Sequence, residues 1–352
     1  MSFLKKSLLL GLCFVLGVGL LAGCDNANTI ADKDQGQNKE DTSSRVMPNN
    51  IKEESITFGE DAFLLSGTLT TPVQGSSFPC VILVQGSGPQ DRDETIGPNA
   101  PFRDIAWGLA QQGIASIRYD KRTKTYADHI GENITPKEET IDDVIHAVDD
   151  AKGIEKINSN DIFILGHGFG GYLMPKIAEL TPDAAGYIIM GASPSPLEDL
   201  MVRQYEYLTS LDNTITNEEA EFMSQAKVAW NRIRQLTPES QESSSQLMGI
   251  SRDYWLFLKD YLPAESLKGI EKPVLILQGE ADYEVNMTEF DQWKIALSDK
   301  RNVTLKAYPG LNHLFIMGNG SKSPEEYKIS GKVSQEVIDD LANFVQVNSN
   351  EV

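Results

Sequence analysis

The sequence has little cysteine, little histidine and few basic residues. Its 352 residues include 3 cysteines and 4 histidines, and 51 acidic residues outnumber 31 basic ones, which gives a net charge of −20. A surface of this charge repels phosphate backbones, so we expect no nucleic-acid partner. No repeat at a fixed period is visible, which argues against a solenoid. The length and the 40% hydrophobic content suit one large α/β domain or two small ones.

An apolar run lies at the N-terminus, where residues 7–22 follow the basic segment M-S-F-L-K-K and end L-L-A-G-C at Cys24. This pattern resembles a bacterial lipoprotein signal, which implies removal of residues 1–23 and diacylglyceryl attachment to the sulfur of Cys24. An ordinary secretory signal with a chance cysteine is the alternative. Two acyl chains on one residue anchor a protein stably. We therefore expect a lipid-anchored protein on the extracytoplasmic side of the cell membrane.

Lipidation of Cys24 and loss of the signal would leave Cys80 without a partner, which excludes a disulfide framework in the mature chain. Cys80 lies in the apolar run F-P-C-V-I-L-V, where a buried, unreactive thiol is expected. Residues 24–50 are polar and have too few large apolar side chains to offset the entropy of ordering. They predict a flexible tether between the anchor and the folded domain.

Short apolar runs alternate with helical patterns over the rest of the chain. Continuous apolar runs of this length are typical of strands covered on both faces. Helices are predicted over Phe102–Gln112, behind a capping box formed by Thr140 and Asp143, and near the C-terminus. The alternation predicts a mostly parallel, doubly wound α/β sheet. The six buried runs are Val81–Val84, Ile114–Tyr119, Ile162–Leu165, Tyr187–Met190, Val274–Leu277 and Val303–Tyr308.

Residues 195–270 interrupt the alternation, because they show helical periodicity and an aromatic cluster but no clear strand. The pattern predicts a helical cap inserted between late core strands. The core would then comprise residues 51–194 and 271–352. Two roles fit the insertion: a lid over a pocket, or a plain helical layer on the core.

The stretch D-I-F-I-L-G-H-G-F-G-G-Y-L, residues 161–173, takes an apolar run into a glycine-rich turn. The spacing of Gly166, Gly168 and Gly171 fits a dinucleotide-binding fingerprint, which also needs an acidic residue about 20 positions later to bind the ribose. The next strand ends without one, and at least two strand–helix units precede the motif. The same residues fit the G-x-S-x-G nucleophile elbow of a hydrolase, with glycine in place of serine.

Two residues further along the chain favour the hydrolase interpretation. An α/β-hydrolase orders its triad as nucleophile, acid and histidine. Asp282 follows the apolar run Val274–Leu277 in the loop Q-G-E-A-D, and His313 follows the next run in Y-P-G-L-N-H. Each alone could be an ordinary loop residue. Because the chain has only 4 histidines, finding one at this position is informative.

From about residue 54 to the C-terminus, the chain resembles bacterial carboxylesterases of the serine-aminopeptidase-like branch of the α/β-hydrolases. The resemblance implies an α/β-hydrolase fold and an oxyanion hole built from the Ser87 and Phe169 amides, with Gln85 where the family has histidine. It also implies a catalytic serine at the position of Gly168. The matching stretches are V-I-L-V-Q-G-S-G-P-Q-D-R-D, P-F-R-D-I-A-W-G-L-A, S-I-R-Y-D-K-R, I-L-G-H-G-F-G-G, I-L-Q-G-E-A-D and Y-P-G-L-N-H-L-F.

No acyl-enzyme can form at Gly168, because glycine has no side chain. Asp282 and His313 could still pair, which leaves three interpretations open. The chain could bind a small acyl, ester or carbonyl ligand without turnover. It could remain an esterase that uses water activated by His313 or a substitute nucleophile. It could also be a non-catalytic envelope module that interacts through its cap. The candidate substitutes are Ser87, His167 and Ser193.

A charged cluster, Asp91 to Glu94, has no histidine nearby. A loop at the rim of the pocket is expected there rather than a metal site, and the predicted chemistry needs neither a metal nor another cofactor. Asp120 ends a predicted strand, where we expect it to pair with Lys121 or Arg122.

Overall fold

The computed structural model describes residues 46–349, except Asp61 and Glu132. The predicted signal peptide, the lipidation site Cys24 and the tether up to residue 45 lie outside the described residues. Among the residues it does describe, no helix has the length and apolar character needed to cross a membrane.

An eight-stranded sheet forms the centre of the described structure. Its order is β1-β2-β4-β3-β5-β6-β7-β8. Strands β3 to β8 pair in parallel, and β1 and β2 extend one edge in antiparallel pairing. The predicted, mostly parallel α/β sheet is confirmed. The strands are β1 Ile51–Phe58, β2 Leu65–Pro72, β3 Phe78–Val84, β4 Ala115–Tyr119, β5 Ile157–His167, β6 Gly186–Met190, β7 Val274–Gly279 and β8 Val303–Tyr308.

Eleven α-helices lie among these strands in the described residues, together with a π-helical turn at Lys137–Ile141 and 3₁₀ turns at Ser244–Gln246 and Pro324–Lys328. The α-helices are α1 Pro101–Gln111, α2 Arg122–Thr125, α3 Asp142–Lys152, α4 Phe169–Tyr172, α5 Met174–Leu180, α6 Leu197–Ser210, α7 Asn217–Gln235, α8 Arg252–Leu258, α9 Pro263–Leu267, α10 Met287–Ala296 and α11 Gln335–Asn348.

Helices cover both faces of the sheet, as the uninterrupted apolar strands require. In β3, Cys80 and Ile82 face one core cluster, while Val81 and Leu83 face the other. Successive strand side chains point to opposite faces, and burying an aliphatic side chain stabilises the fold by about 1.5–3 kcal/mol. Helices α1 and α11 pack on one face, and α3 and α5 on the other. Burial also raises the pKa of Cys80, consistent with an unreactive thiol.

Helices α6 to α9 lie between β6 and β7 and supply the helical insertion. Trp230 and Trp255 of this segment are buried in the core cluster that also contains α3 and α5. A capping box begins α7, where Thr216 and Glu219 satisfy each other's backbone N–H groups. The insertion is thus joined to the core by apolar packing.

The capping box predicted at Thr140 is wrong, because the helical segment begins earlier. The π-helical turn at Lys137–Ile141 precedes α3, so Thr140 already has helical neighbours. The amide of Thr135 donates instead to the Glu138 carboxylate at 2.9 Å. Asp143 accepts from the Arg122 guanidinium, with Nε at 2.8 Å.

The pairing predicted for Asp120 is also wrong. Its carboxylate forms an ion pair with Arg92, with Nη2 and Oδ2 2.6 Å apart. The neighbouring residues have other partners: Lys121 pairs with Glu139, and Arg122 pairs with Asp143. The side chains of adjacent residues in an extended segment point in opposite directions. Asp120 therefore meets Arg92, from the loop after β3, and not its neighbour Lys121.

Candidate active site

The candidate site lies at the carboxyl ends of the parallel strands, the usual location of ligands on open α/β sheets. The loop after β5 presents Gly168, the loop after β7 presents Asp282, and the loop after β8 presents His313. The loop after β3 approaches from the other side, with Gly86 and Ser87 in the same cavity wall.

Gly168 occupies a sharp turn between β5 and α4, with φ +51° and ψ −113°. Residues that have a side chain rarely adopt this backbone conformation. A Cβ placed on Gly168 would lie 3.4 Å from Nε2 of His313 and 3.7 Å from Cα of Gly86, which are ordinary contacts. At Gly166, by contrast, a Cβ would lie 2.4 Å from the carbonyl carbon of Gly170. The turn therefore has room for a side chain at position 168, and that side chain would meet the histidine.

Asp282 and His313 form a buried acid–imidazole pair, with Oδ2 and Nδ1 2.8 Å apart. The other carboxylate oxygen, Oδ1, accepts from the backbone N–H groups of Glu284 and Val285 at 2.8 and 2.9 Å. These bonds fix the carboxylate, and the carboxylate fixes the imidazole ring. The structure thus brings together Gly168, Asp282 and His313, the three residues predicted from sequence.

The turn that presents His313 is held by its neighbour Asn312, whose Oδ1 accepts the backbone N–H groups of Leu314 and Ile316 at 3.0 and 3.2 Å. Both Asn312 and His313 are buried. The loop therefore has a defined shape that does not depend on a ligand.

A second carboxylate, Glu284, approaches the other ring nitrogen of His313. Its Oε2 lies 3.8 Å from Nε2, and its Oε1 accepts from the Tyr327 hydroxyl at 2.5 Å. Burial acts to lower the pKa of His313, but the carboxylates of Asp282 and Glu284 outweigh it and raise the pKa to about 10. The two carboxylates therefore favour the imidazolium form of His313. Glu284 was not among the residues predicted from the sequence, although its position two residues after Asp282 places it in the same loop.

His167 belongs to another buried acid–imidazole pair, directly against the first. Its Nδ1 lies 2.9 Å from Oε2 of Glu94. Its Nε2 lies 2.9 Å from the carbonyl oxygen of His313, and because a carbonyl only accepts, Nε2 carries the hydrogen. Glu94 Oε1 also accepts the Gly86 N–H at 2.6 Å. Glu94 thus connects the elbow to the loop after β3.

Buried charges hold the predicted oxyanion loop on both sides of Ser87. The Gly86 carbonyl accepts from Lys121 Nζ at 2.8 Å, and the Gly88 N–H donates to Glu139 Oε1 at 3.1 Å. Lys121 and Glu139 are themselves paired at 2.8 Å. Gln85, which replaces the family's histidine, donates its side-chain amide to the carbonyl of Tyr119. These contacts fix the backbone at Ser87, the predicted amide donor.

The cavity between these loops and the cap has a volume of about 70 Å³. This is space for several water molecules or a short acyl group. Helix α6 of the cap contributes part of the wall, so the insertion covers the site. The lining includes Gly168, Glu284 and His313, and the apolar side chains in it are Ile96, Phe169, Tyr172, Ala192, Leu197, Leu200 and Val285.

Ser193, a candidate substitute nucleophile, lines the cavity but faces another partner. Its hydroxyl donates to Glu289 Oε2 at 2.6 Å, and Ser195 donates to the same oxygen at 2.7 Å. The cap residue Arg203 approaches the other oxygen of Glu289 at 2.6 Å.

In the described ranges, no group of three or more His, Cys, Asp or Glu residues could hold a metal ion. The charged segment Asp91–Glu94 serves the loop itself. Asp91 Oδ1 accepts the backbone N–H groups of Asp93 and Thr95, both at 3.0 Å, and Asp93 pairs with Arg118 at 2.7 Å.

The strand order, the sharp turn at Gly168 after β5 and the acid–histidine pair after β7 and β8 are those of an α/β-hydrolase. Comparison with curated proteins agrees: the chain is 35% identical over 301 residues to the esterase EstD of Thermotoga maritima, covering 85% of this chain and 69% of EstD. The chain therefore belongs to the esterase family of α/β-hydrolases that includes EstD.

Solved structures show the same fold at low sequence identity. Est1E from Butyrivibrio proteoclasticus matches with a TM-score of 0.53 and 16% identity, covering 84% of this chain and 98% of that one. The esterase Pf2001 of Pyrococcus furiosus matches with a TM-score of 0.52 and 13% identity, covering 91% and 97%. No protein-family model matches the chain.

Proposed function

We propose that this chain is a lipid-anchored member of the esterase family that binds a small acyl or ester ligand without covalent turnover. The observation that carries the proposal is Gly168: it has the backbone conformation of an elbow and space for a side chain facing His313, but no oxygen to form an ester.

The absence of a nucleophile removes the acyl-enzyme step and leaves the binding features in place. In serine hydrolases, loss of a triad member leaves a residual acceleration of roughly 10³–10⁴ over water, from the oxyanion hole and substrate binding. Here the loop around Ser87 is held by buried charges, and Asp282 still orients His313. A carbonyl oxygen is the ligand group that the Ser87 and Phe169 amides would accept.

The protonation of His313 argues against hydrolysis by an activated water. A general base must be unprotonated at the working pH, whereas the neighbouring carboxylates raise the pKa of His313 to about 10. Ser193 is a poor substitute nucleophile, because its hydroxyl is directed at the buried Glu289 carboxylate and not at His313. These features favour binding over an atypical esterase route.

The cavity supports a short ligand. Its volume of about 70 Å³ is below the roughly 300–1,000 Å³ of sites for drug-sized ligands. The apolar side chains in its wall, which include Phe169 and Leu200, suit the alkyl part of a short acyl group.

The proposed location on the extracytoplasmic face of the cell membrane depends on Cys24. Replacing Cys24 with alanine should therefore release the protein from the membrane fraction.

The test compares the purified protein with its Gly168→Ser variant on short p-nitrophenyl esters between pH 7 and 10. We expect the parent to stay near the uncatalysed rate and the variant to gain at least about 10²-fold, because serine restores the covalent step. The gain should disappear in Gly168→Ser/His313→Ala. Short non-hydrolysable ketones should raise the melting temperature of the parent, as ligands of the native state do.

Two outcomes would overturn the proposal. Rapid hydrolysis by the parent that is lost in His313→Ala would show an active esterase with an atypical route. No hydrolysis by either protein, together with no stabilisation by ketones, would point to a non-catalytic envelope module acting through its cap.

A further inference from the structure

We propose that Glu284 is a fixed counter-ion of His313 on the Nε2 side, the side that faces position 168, and that it keeps the imidazole in its acid form. This inference deepens the proposed function and rests on it for its consequences for ligand choice. The chain would then depart from hydrolysis twice, through the missing serine and through a charge that keeps the histidine from acting as a base until the pH is raised.

The geometry places a carboxylate at each ring nitrogen. Asp282 Oδ2 is 2.8 Å from Nδ1, and Glu284 Oε2 is 3.8 Å from Nε2. In a serine hydrolase the nucleophile's hydroxyl is the partner of Nε2, and a neutral hydroxyl does not favour the imidazolium as a carboxylate does. The side chain of Glu284 is 15% exposed and that of His313 is 9% exposed, so water screens the pair only weakly.

Three contacts hold Glu284 in place. The Tyr327 hydroxyl donates to its Oε1 at 2.5 Å, and its own backbone N–H donates to Asp282 Oδ1 at 2.8 Å. The side-chain amide of Gln204, on cap helix α6, donates to its carbonyl oxygen at 2.8 Å. Burial and the neighbouring carboxylates raise the pKa of Tyr327 well above its ordinary value, so Tyr327 remains a donor. Core and cap together therefore fix the counter-ion.

The other charged or titratable groups around His313 lie elsewhere. Glu94 acts from behind the ring of His167, which lies against His313 with ring centroids 4.5 Å apart and ring planes inclined at 44°. Tyr283 packs against Tyr327 with ring centroids 5.7 Å apart, and burial and Glu284 raise its pKa, so it stays neutral. Among these groups, Glu284 is the charge that approaches Nε2.

A carboxylate in the cavity wall also limits what the site can bind. Asp282 and Glu284 face a single imidazolium, so the group keeps a net negative charge. It would repel a free carboxylate ligand, whereas the carbonyl of a neutral ester, amide or ketone would not be repelled. We therefore assign the site to neutral acyl compounds rather than to free acids.

The first experiment measures the pKa of His313 directly in the protein with its native Gly168, and needs no turnover. With [¹³Cε1]histidine, the 4 histidines give four signals, and His313→Gln identifies the relevant one. We expect Glu284→Gln to lower the pKa of His313 by about one to three units, from Coulomb's law for charges about 4 Å apart at an effective dielectric constant near 20. Glu280→Gln, an exposed carboxylate in the same loop, is the matched control and should leave it unchanged.

Glu284→Asp separates charge from packing, because it keeps the negative charge on a shorter side chain. The pKa of His313 should be highest in the parent, lower in Glu284→Asp and lowest in Glu284→Gln. The inference is overturned if Glu284→Gln leaves the pKa within about 0.3 units of the parent, or if Glu284→Asp lowers it as far as Glu284→Gln does.

The second experiment uses the Gly168→Ser background. Gly168→Ser/Glu284→Gln should reach its half-maximal rate at a pH at least about one unit lower than Gly168→Ser alone, because the base becomes available earlier. Equal pH profiles for the two proteins would contradict the role of Glu284. If neither hydrolyses esters and ketones do not stabilise the parent, the proposed function fails, while the titration in the protein with native Gly168 still decides whether Glu284 is the counter-ion.

Discussion

A side chain at position 168 should destabilise the fold even though there is room for it. Gly168 has φ +51° and ψ −113°, and a conformation this rare for a residue with a Cβ costs about 1–3 kcal/mol. The nearest atoms to an added Cβ are 3.4 and 3.7 Å away, so steric overlap adds little. We therefore expect Gly168→Ala to lower the free energy of unfolding by about 1–3 kcal/mol, because the backbone alone supplies the cost.

Two further glycine variants should give a smaller and a larger loss in the free energy of unfolding than Gly168→Ala. At Gly131 an added Cβ meets nothing within 4 Å and φ lies outside the left-handed region, so Gly131→Ala should be neutral or slightly stabilising. At Gly166 an added Cβ would lie 2.4 Å from the Gly170 backbone, so Gly166→Ala should be more damaging than Gly168→Ala.

Urea denaturation monitored by tryptophan fluorescence and circular dichroism gives the free energies, and calorimetry should show a fall in melting temperature of about 2–6 °C for Gly168→Ala at roughly 2 °C per kcal/mol. A Gly168→Ala protein as stable as the parent would refute the reasoning. It would mean that the turn relaxes to a conformation that alanine accepts, and that glycine confers no stability over serine at this position.

Two other predictions follow from the ion pairs. Because the Asp282 and Glu284 carboxylates outweigh the effect of burial and raise the pKa of His313 from 6.5 to about 10, its protonation stabilises the fold fully below about pH 6.5, and this contribution is lost as the pH rises through 10. Urea midpoints should therefore fall between pH 6.5 and 10 more steeply for the parent than for His313→Gln, and parallel curves would contradict this. Removing Arg203 leaves the buried Glu289 carboxylate without its cation, so Arg203→Ala should cost about 1–3 kcal/mol, less than for a fully buried pair because Arg203 is partly exposed. The more exposed pair of Arg234 and Asp199 is the control, and Arg234→Ala should cost at most about 1 kcal/mol. If the two variants lose the same free energy of unfolding, the Arg203–Glu289 pair does not stabilise the packing of the cap on the core.

Much of the architecture was readable from the sequence because it depends on local pattern. Uninterrupted apolar runs such as Val81–Val84 predicted strands with two buried faces, and in the structure alternate residues of β3 enter opposite core clusters. The glycine spacing around Gly168 predicted a sharp turn after a strand. In the structure, a side chain at Gly166 would overlap the Gly170 backbone, so glycine is required there. The positions of Asp282 and His313 were predicted from the strands that precede them, β7 and β8.

The pairing of charges was decided by the tertiary structure. Asp120 was expected to pair with an adjacent residue, but Arg92, 28 positions away, is its partner. The segment at Thr140 matched a capping box, but the helical turn starts before it. A sequence pattern records periodicity and composition, and it does not record which side chains from distant segments meet.

The sequence by itself determined the sheet and the glycine-rich turn after β5, because each depends on residue type at one position or on a short periodic run. Only the tertiary structure decided the state of the remaining site. Glu284 meets Nε2 of His313, and Glu94 meets His167, through contacts between different loops. Electrostatic energy depends on distance and burial, so the protonation of His313 is set by the folded arrangement of these loops and not by their order along the chain.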